Sequence, residues 1–394
     1  MARRIALTAA LLLALTGCAG TGDPAPPPDA RQGADGAASP GAPGVGSTDP
    51  AQVFHIERVA TFDEPWAMEF LPDGRALITQ RGGELKLVDM PSGDARTVSG
   101  TPDVVHVNQG GLGDVILSPD FAANQNVYLS WAESGDGGSG AAIGRAALRT
   151  DGEPRLEGLE VIWRQEPKTS GNGHYAHRMV FSPDGRYLFV TSGDRQKLDP
   201  AQDLGNTLGT VVRLNPDGTA ASGNPFADRG GVSAQIWTYG HRNPLGIAFD
   251  ADGNLWSSEM GPQGGDEINV IQQGRNYGWP KASNGSHYGG GEIPDHAPGD
   301  GFEAPKVWWS PSMSPGSLMI YSGDRFPQWK GDAFVGALSG RALMRVALDG
   351  TDASKAEQWD LGTRVREVEQ GPDGAIWLLT DGSGGELRKL TPRS

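Results

Sequence analysis

The residues of this sequence that could do chemistry are concentrated in short segments rich in glycine and proline. One segment reads Gly171-Asn-Gly-His174-Tyr-Ala-His177-Arg178, and another reads Tyr239-Gly-His241-Arg242-Asn243-Pro244. An imidazole titrates near neutral pH and can accept a proton, whereas a guanidinium is a fixed positive charge that can stabilise a developing oxyanion. These residue types suit proton transfer beside a developing negative charge, although spacing alone does not decide which of them take part.

Three further segments offer groups that could bind a ligand: Asn108-Gln109-Gly110-Gly111, Ser258-Glu259-Met-Gly261-Pro262 and Thr363-Arg364-Val-Arg366. By themselves the first is a weak glycine-rich loop and the second is a turn. Arg364 and Arg366 are two residues apart and would point to the same side of a strand. Two such guanidinium groups suit carboxylates, but they also suit a solvated strand face.

Read together, these segments resemble one known family. Its signature is a His-Arg-Asn-Pro loop, then Glu-x-Gly-Pro, Asp-Glu-Ile-Asn and Asn-Tyr-Gly-Trp-Pro. The sequence has His241 to Pro244, Glu259 to Pro262, Asp266 to Asn269 and Asn276 to Pro280 in that order. The chain therefore resembles the glucose/sorbosone dehydrogenase family, the soluble quinoprotein aldose dehydrogenases, over nearly all of residues 53–392.

The resemblance implies a sugar dehydrogenase that binds pyrroloquinoline quinone (PQQ) and Ca²⁺ and oxidises aldoses at C1 to the lactone by hydride transfer. His174 would be the general base, and Arg242, assisted by Asn243, would stabilise charge on the quinone. The remaining roles follow from the same match. Gln109, Arg364 and Arg366 would contact the cofactor, while the backbone carbonyls of Gly261 and Pro262 would bind Ca²⁺, which takes six to eight oxygen ligands. Asp266 and Glu267 would brace the calcium loop.

Two positions depart from the family pattern. Some relatives have Asp directly before the catalytic histidine, where this chain has Gly173, so the residue that orients His174 is left open. The glucose-specific branch has a cofactor-binding Lys where this chain has Ser339, which favours the broader aldose dehydrogenase branch. His177 is interpreted as an incidental polar residue at the start of a strand.

Two other functions stay open at this point. One is a Ca²⁺-dependent lactonase on a similar scaffold, in which Glu259 and Asp266 could bind the metal. The other is a non-catalytic binding protein that retains only the scaffold.

The elements that must position these residues are short strands joined by tight turns. The chain has 59 Gly and 29 Pro, and a Pro-Asp-Gly type turn recurs between apolar segments. Its copies are at Pro72 to Gly74, Pro183 to Gly185, Asp252 to Gly253 and Pro372 to Gly374, with looser units at Pro119 to Asp120 and Asp332 to Gly336. Pro fixes φ and Gly supplies a positive φ, so each copy predicts a hairpin. Six units about 40 to 80 residues apart favour an all-β, six-bladed propeller over a β-sandwich.

The amino terminus carries targeting signals. Arg3 and Arg4 precede a short apolar run that ends in Leu15-Thr16-Gly17-Cys18, the pattern of a bacterial lipobox. We therefore expect a signal peptide at residues 1–17, a lipidated Cys18, a flexible tether rich in Pro, Gly and Ala at 18–52, and the propeller at 53–392. The expected location is extracytoplasmic, as a periplasmic or cell-surface lipoprotein.

Composition limits the possible partners. The net charge is −15 and no basic block is present, so nucleic acid is a poor partner, and the membrane is reached only through the lipid. Cys18 is the only cysteine, so there are no disulfides to stabilise the fold. The expected partners are a sugar and an electron acceptor, more naturally a respiratory quinone or cytochrome than a nicotinamide.

Overall fold

The computed structural model of the protein describes residues 46–90 and 92–393. The expected signal peptide, Cys18 and most of the tether lie outside these residues. The described part is built almost entirely from β-strands, with one α-helical turn, Phe121–Asn124, and 3₁₀ turns at Pro50–Gln52, Asp199–Gln202, Ala227–Arg229, Gly231–Gln235 and Pro327–Trp329. None of these helical segments has the length and hydrophobicity needed to cross a membrane.

Six antiparallel sheets, or blades, follow one another along the chain, and the first strand of each is innermost. Before the first blade come β1 (Ser47–Thr48) and β2 (Phe54–Asp63). Blade 1 contains β3 (Pro65–Phe70), β4 (Ala76–Gln80), β5 (Leu85–Asp89) and β6 (Asp94–Val98). Blade 2 contains β7 (Leu112–Leu117), β8 (Asn126–Gly135), β9 (Gly138–Arg149) and β10 (Arg155–Arg164). Blade 3 contains β11 (Ala176–Phe181), β12 (Leu188–Ser192), β13 (Thr210–Leu214) and β14 (Ile236–Tyr239).

The second half of the chain repeats the arrangement. Blade 4 contains β15 (Pro244–Phe249), β16 (Leu255–Glu259), β18 (Asp266–Val270) and β20 (Val307–Trp309), and a small ribbon pairs β17 (Gln263–Gly264) with β19 (Gly285–Ser286). Blade 5 contains β21 (Met319–Ile320), β22 (Ala333–Gly336), β23 (Ala342–Asp349) and β24 (Asp352–Asp360), with β1 added at its edge. Blade 6 contains β25 (Val365–Gln370), β26 (Ile376–Thr380) and β27 (Ser383–Pro392).

The two ends of the propeller close the ring together. Strand β2 pairs antiparallel with β27 over its whole length, from Phe54 opposite Pro392 to Asp63 opposite Ser383, and becomes the outer strand of blade 6. A chain of contacts between neighbouring innermost strands joins the six blades in a circle. Because no disulfide is available, this pairing of the chain ends holds the ring shut.

The four predicted Pro-Asp-Gly type turns connect the innermost strand of a blade to its second strand. The looser unit at Asp332 to Gly336 differs, because Ala333–Gly336 is itself the second strand of blade 5. Gly74, Gly185, Gly253 and Gly374 have φ between 70° and 88°, the region that favours glycine. The prediction of an all-β, six-bladed propeller is confirmed.

A single buried guanidinium, that of Arg178, contacts all six blades at the centre. It lies on β11 in blade 3, and its plane stacks 4.0 Å from the ring centroid of Trp66 in blade 1. It forms ion pairs with Asp114 in blade 2 and Glu367 in blade 6, and donates 2.9 Å hydrogen bonds to the carbonyls of Leu245 in blade 4 and Gly316, which leads into blade 5. Arg178 therefore links its own blade to the neighbouring blades at the centre of the ring.

Candidate functional site

The candidate residues gather at one end of the channel, where the chain enters each innermost strand. His174 precedes β11, Arg242 and Asn243 precede β15, and Gln109 precedes β7. Gly261 and Pro262 follow β16, the second strand of blade 4, and so lie at the same end. Residues far apart in sequence converge here because every blade contributes its entry loop to this end.

His174 is held by two polar partners. Its Nδ1 atom lies 2.7 Å from Oδ1 of Asp194, which is the second residue after β12. Its backbone N–H donates to Oε1 of Gln109, also at 2.7 Å. Asp194 is fully buried and His174 is 4% exposed, so solvent does not compete for either contact. Asp194 thus takes the orienting position that the departure at Gly173 left open, and Gln109 supports the same loop.

The histidine loop has an unusual backbone. His174, Ala176 and His177 all have φ between 49° and 60°, which costs free energy for residues other than glycine. Arg195 compensates for part of this cost: it donates to the carbonyls of Gly173 and Gly171 and stacks 3.6 Å from the ring centroid of Tyr175. This fully buried arginine fixes the loop that presents His174.

The close packing of this loop explains Gly193. A β-carbon at that position would lie 2.1 Å from the carbonyl oxygen of His174, which is closer than any real contact. Only glycine lets the Ser192-Gly193-Asp194 turn pass under the histidine loop.

The electrostatic environment favours a neutral His174 beside an ionised Asp194. Burial lowers the pKa of His174, and the positive charge of Arg242 lowers it further against the opposing effect of Asp194. Burial alone would raise the pKa of Asp194, but His174, Arg242 and the backbone N–H of Gln196 together bring it below its usual value. A carboxylate can only accept, so Nδ1 of the neutral imidazole carries the hydrogen and Nε2 is left as a proton acceptor.

Arg242 is fixed by the loop that follows β16. Its guanidinium donates to the carbonyl of Gly261 at 2.7 Å and to that of Met260 at 3.2 Å. Its backbone N–H, like that of Asn243, donates to the carboxylate of Glu259, whose other oxygen lies 2.9 Å from Nδ1 of His241. Two buried atoms in this part of the site, Nε of Arg242 and Oδ1 of Asn243, have no hydrogen-bond partner. Buried polar atoms without partners mark a place where a ligand can satisfy them.

The loop with Gly261 and Pro262 rests on Asp266. Its carboxylate accepts from the N–H of Gly261 at 2.9 Å, and from the hydroxyl of Ser312 and the N–H groups of Met313 and Ser314 at 2.6 Å each. Protein donors therefore occupy both Asp266 and Glu259, the two carboxylates considered as lactonase metal ligands. Within residues 46–90 and 92–393, no group of three or more His, Cys, Asp or Glu side chains is arranged to hold a metal ion.

Arg364 and Arg366 share one carboxylate. Nε of Arg364 lies 2.7 Å from Oδ2 of Asp381, and Nε of Arg366 lies 3.0 Å from Oδ1 of the same residue. Burial opposes ionisation of Asp381, but the two arginines lower its pKa to about 2. Arg81 is a near neighbour and donates to the carbonyl of Gly110, beside Gln109. Two positive charges against one negative charge leave a surplus that suits an anionic ligand.

His177 and Ser339, two further positions considered in the sequence, have well-defined contacts. His177 is buried against Ser130 and stacks on Trp66 with a centroid distance of 5.1 Å, and burial lowers its pKa to about 3, so it is part of the channel wall. Ser339 is exposed and bonds at 2.8 Å to Ser314.

Sequence reasoning missed Asp194, Arg195 and Tyr288. The hydroxyl of Tyr288 lies 3.5 Å from the guanidinium of Arg242. The sequence offers no local signal for Asp194, because only the pairing of β11 with β12 brings its Ser-Gly-Asp turn to the histidine loop.

The fold and the site together define a class: a six-bladed propeller whose channel mouth carries a carboxylate-oriented histidine beside a fixed arginine. The family model described as Glucose / Sorbosone dehydrogenase matches residues 62–389. The chain is 42% identical over 340 residues to the aldose sugar dehydrogenase YliI of Escherichia coli (strain K12), covering 84% of this chain and 91% of that protein. This chain belongs to the glucose/sorbosone dehydrogenase family.

Solved structures agree with this assignment. The crystal structure of the soluble aldose sugar dehydrogenase from Escherichia coli in the apo-form has a TM-score of 0.82 at 41% identity, covering 86% of this chain and 100% of that chain. The PQQ-bound form of aldose sugar dehydrogenase from Streptomyces coelicolor has a TM-score of 0.73 at 27% identity, with 87% and 100% covered.

Proposed function

We propose that this protein is a PQQ-dependent aldose sugar dehydrogenase that oxidises the sugar at C1 to the lactone. The observation that carries the proposal is the buried His174–Asp194 pair beside Arg242 at the channel mouth. Membership of the family and the likeness to a PQQ-bound relative support the same reaction.

The residues at the mouth fit the cofactor. PQQ bears three carboxylates, and the surplus positive charge of Arg364 and Arg366 around Asp381 would hold part of that charge. A polar ligand would satisfy the two buried atoms that have no hydrogen-bond partner, Nε of Arg242 and Oδ1 of Asn243. Gln109 is connected to the site by the hydrogen bond that its side chain accepts from His174. When bound, PQQ supplies the quinone that accepts hydride from the sugar.

His174 takes up the proton of the anomeric hydroxyl. The neutral imidazole presents Nε2 as acceptor, while the Nδ1 hydrogen stays on the side of Asp194. As the imidazole becomes positively charged, the buried Asp194 carboxylate stabilises it, as in other histidine–carboxylate pairs. His174 thus moves the proton, and Asp194 sets its orientation.

Arg242 would hold the bound quinone and supply a fixed positive charge towards it. Its guanidinium is held by two carbonyls and cannot swing away, so little reorganisation is needed during the reaction. Burial and the same positive charge lower the pKa of His174, which favours the neutral base.

We also propose that Ca²⁺ binds the carbonyls of Gly261 and Pro262. Asp266 fixes the N–H of Gly261 and thereby the direction of this loop. Two carbonyls supply only part of the six to eight oxygens that Ca²⁺ takes, so the cofactor and water would supply the others. The Gly261 carbonyl also accepts from Arg242, so the same loop would hold both the ion and the guanidinium.

Reconstitution tests the proposal. The purified protein is mixed with PQQ and CaCl₂, and dye reduction is followed with several aldoses, while hydrolysis of a sugar lactone is measured in parallel. We expect aldose-dependent dye reduction, lost by omitting PQQ and reduced by chelating Ca²⁺. Lactone hydrolysis without dye reduction would show that the protein is a lactonase instead. The absence of both activities would favour a non-catalytic binding protein.

The base assignment has its own variant. We expect His174→Gln to retain PQQ binding and to lose about 10²–10⁴-fold in kcat. His55→Gln is the matched control because His55 is exposed on β2, away from the site. Turnover at the wild-type rate in His174→Gln would refute the role of this residue.

For location, we propose that the protein is an extracytoplasmic lipoprotein anchored at Cys18, where a respiratory quinone or cytochrome would accept the electrons. The basis is the sequence around Cys18 alone. The test is incorporation of labelled fatty acid and membrane fractionation of the wild type and Cys18→Ala. Equal membrane association of both proteins would contradict the anchor.

A further inference from the structure

The motif Asn276-Tyr277-Gly278-Trp279-Pro280 contains a side chain that the proposed reaction leaves unused. Trp279 is 4% exposed, and its indole Nε1–H donates to Oδ2 of Asp194 at 2.7 Å. The other oxygen of that carboxylate contacts His174. Each oxygen of Asp194 therefore has a distinct partner, one on the base and one on Trp279.

Trp279 also contacts the second half of the site. The guanidinium of Arg242 lies 5.2 Å from the centroid of the indole ring. The backbone N–H of Trp279 donates to the carbonyl of Gly240, two residues before Arg242, at 2.9 Å. The N–H of Asp194 donates to the carbonyl of Arg242 at 2.8 Å, which closes a triangle between the three residues.

Hydrogen bonds from Gln202 fix the main chain of Trp279. Gln202 donates to its carbonyl at 2.7 Å and exchanges two hydrogen bonds with the side chain of Asn276. The ring packs against Ala201, Leu198 and Ile293. The indole is thus rigidly placed, which is what a residue that positions others requires.

We propose that Trp279 is a positioning residue for the proposed dehydrogenase. It holds Asp194, and through Asp194 also His174, in a fixed position relative to Arg242. This inference rests on the proposed function for its kinetic consequence, but not for its structural one. The indole N–H neutralises part of the charge on Oδ2 of Asp194, and the indole ring contacts the guanidinium of Arg242.

Removal of the N–H has a defined effect on the base. Without it, Oδ2 of Asp194 is buried with no donor, and more negative charge acts on the imidazole. The charged groups that influence the pKa of His174 are Asp194, Arg242 and Arg195. Of these three, only Asp194 would lose a hydrogen-bond donor in the variant. We therefore expect the pKa of His174 to rise in Trp279→Phe, and the acid limb of kcat/KM to move to higher pH.

Trp256 provides a matched control. Its indole N–H also donates to a carboxylate, Oδ2 of Asp250, at 2.8 Å, and the side chain is fully buried. Asp250 lies in the turn between β15 and β16, at the opposite end of blade 4 from the site. Trp256→Phe thus makes the same chemical change without touching Asp194.

The experiment compares the two variants by kinetics and by NMR. In PQQ-reconstituted protein, Trp279→Phe should lose about tenfold in kcat with KM changed less than threefold, and Trp256→Phe should lose neither. In cofactor-free protein, the imidazole signals of His174 are assigned by their absence from the spectrum of His174→Gln. Their titration midpoint should be at higher pH than in the wild type in Trp279→Phe but not in Trp256→Phe. Trp279→Leu, which also removes the N–H and adds no other donor, should raise the His174 titration in the same way if the Phe variant does not fold.

Two results would overturn the proposal: an unchanged His174 titration in Trp279→Phe, or equal kinetic losses in both tryptophan variants. A wild-type protein that reduces no dye with any aldose would refute the proposed function instead. The NMR titration would still decide whether Trp279 acts on His174.

Discussion

Nδ1 of His174 and Oδ1 of Asp194 lie 2.7 Å apart in a part of the site that solvent scarcely reaches. The two residues are 20 positions apart in sequence and come from different turns of blade 3, one before β11 and one after β12. Because the pKa of both groups is lowered, an ionised Asp194 beside a neutral His174 is favoured, and this pair fixes a single tautomer with Nε2 as the proton acceptor.

Replacing the carboxylate tests this relationship directly. In Asp194→Asn the amide can present its N–H₂ to the imidazole, which allows the wrong tautomer and removes the charge that stabilises the imidazolium. We expect kcat to fall about 10²–10⁴-fold, with PQQ affinity changed much less. Steady-state kinetics and a PQQ titration measure both quantities. Asp184→Asn, in the exposed turn of the same blade, is the control, and an Asp194→Asn enzyme as fast as that control would exclude the orienting role.

The pH dependence of the reaction follows from the surroundings of His174. The base is active when neutral, and burial together with Arg242 holds its pKa below the ordinary value of about 6.5. The acid limb of kcat/KM should therefore lie below pH 6.5. Removing a positive charge makes protonation easier, so Arg242→Gln should move the limb to higher pH in addition to lowering the rate. A limb at or above pH 6.5 in the wild type would contradict this electrostatic account.

The hairpins and the propeller were accessible from sequence because their causes are local. A Pro-Asp-Gly turn fixes its own φ angles, and alternating apolar residues fix the strands beside it. The pairing of β2 with β27 has no such local cause, since Phe54 and Pro392 meet only after the whole ring has formed. The position of the outer strand of blade 6 could therefore not be read from either segment alone.

The site shows the same division. Motifs predicted site roles for His174, Arg242 and the Gly261–Pro262 turn, because each lies in a recognisable segment. Asp194 was missed because nothing local distinguishes its Ser-Gly-Asp turn from other strand ends; its role arises when β11 and β12 pair. The sharing of Asp381 by Arg364 and Arg366 was likewise invisible, since it depends on the packing of the loop after β26.

The arginine pair at blade 6 should control cofactor affinity more than turnover. Arg366 is largely buried and its charge is shared with Arg364 around Asp381. If it binds a cofactor carboxylate as proposed, its removal would leave that carboxylate without a partner. We expect Arg366→Gln to weaken PQQ binding about 10–100-fold, corresponding to about 1.4–2.8 kcal/mol. Fluorescence titration of the cofactor-free protein measures it. Arg388→Gln, which breaks a comparable pair with Glu386 on β27, should leave affinity unchanged, and equal affinities of the two variants would argue against a cofactor role for Arg366.

The raised pKa of Glu369, on the innermost strand β25, leads to a prediction about stability rather than catalysis. Burial raises its pKa from 4.5 to about 7, and the negative charge of Asp114 adds to the effect. The folded protein therefore holds this proton between about pH 4.5 and 7 while the unfolded chain has lost it, so this residue lowers stability as pH rises through that range. Glu369→Gln should raise the free energy of unfolding by on the order of 1–2 kcal/mol at pH 8 and by little at pH 4.5. Denaturant unfolding at both pH values measures the difference, with Glu57→Gln on the exposed face of β2 as control. A stabilisation that is equal at the two pH values would mean that the charge of Glu369 is not its cause.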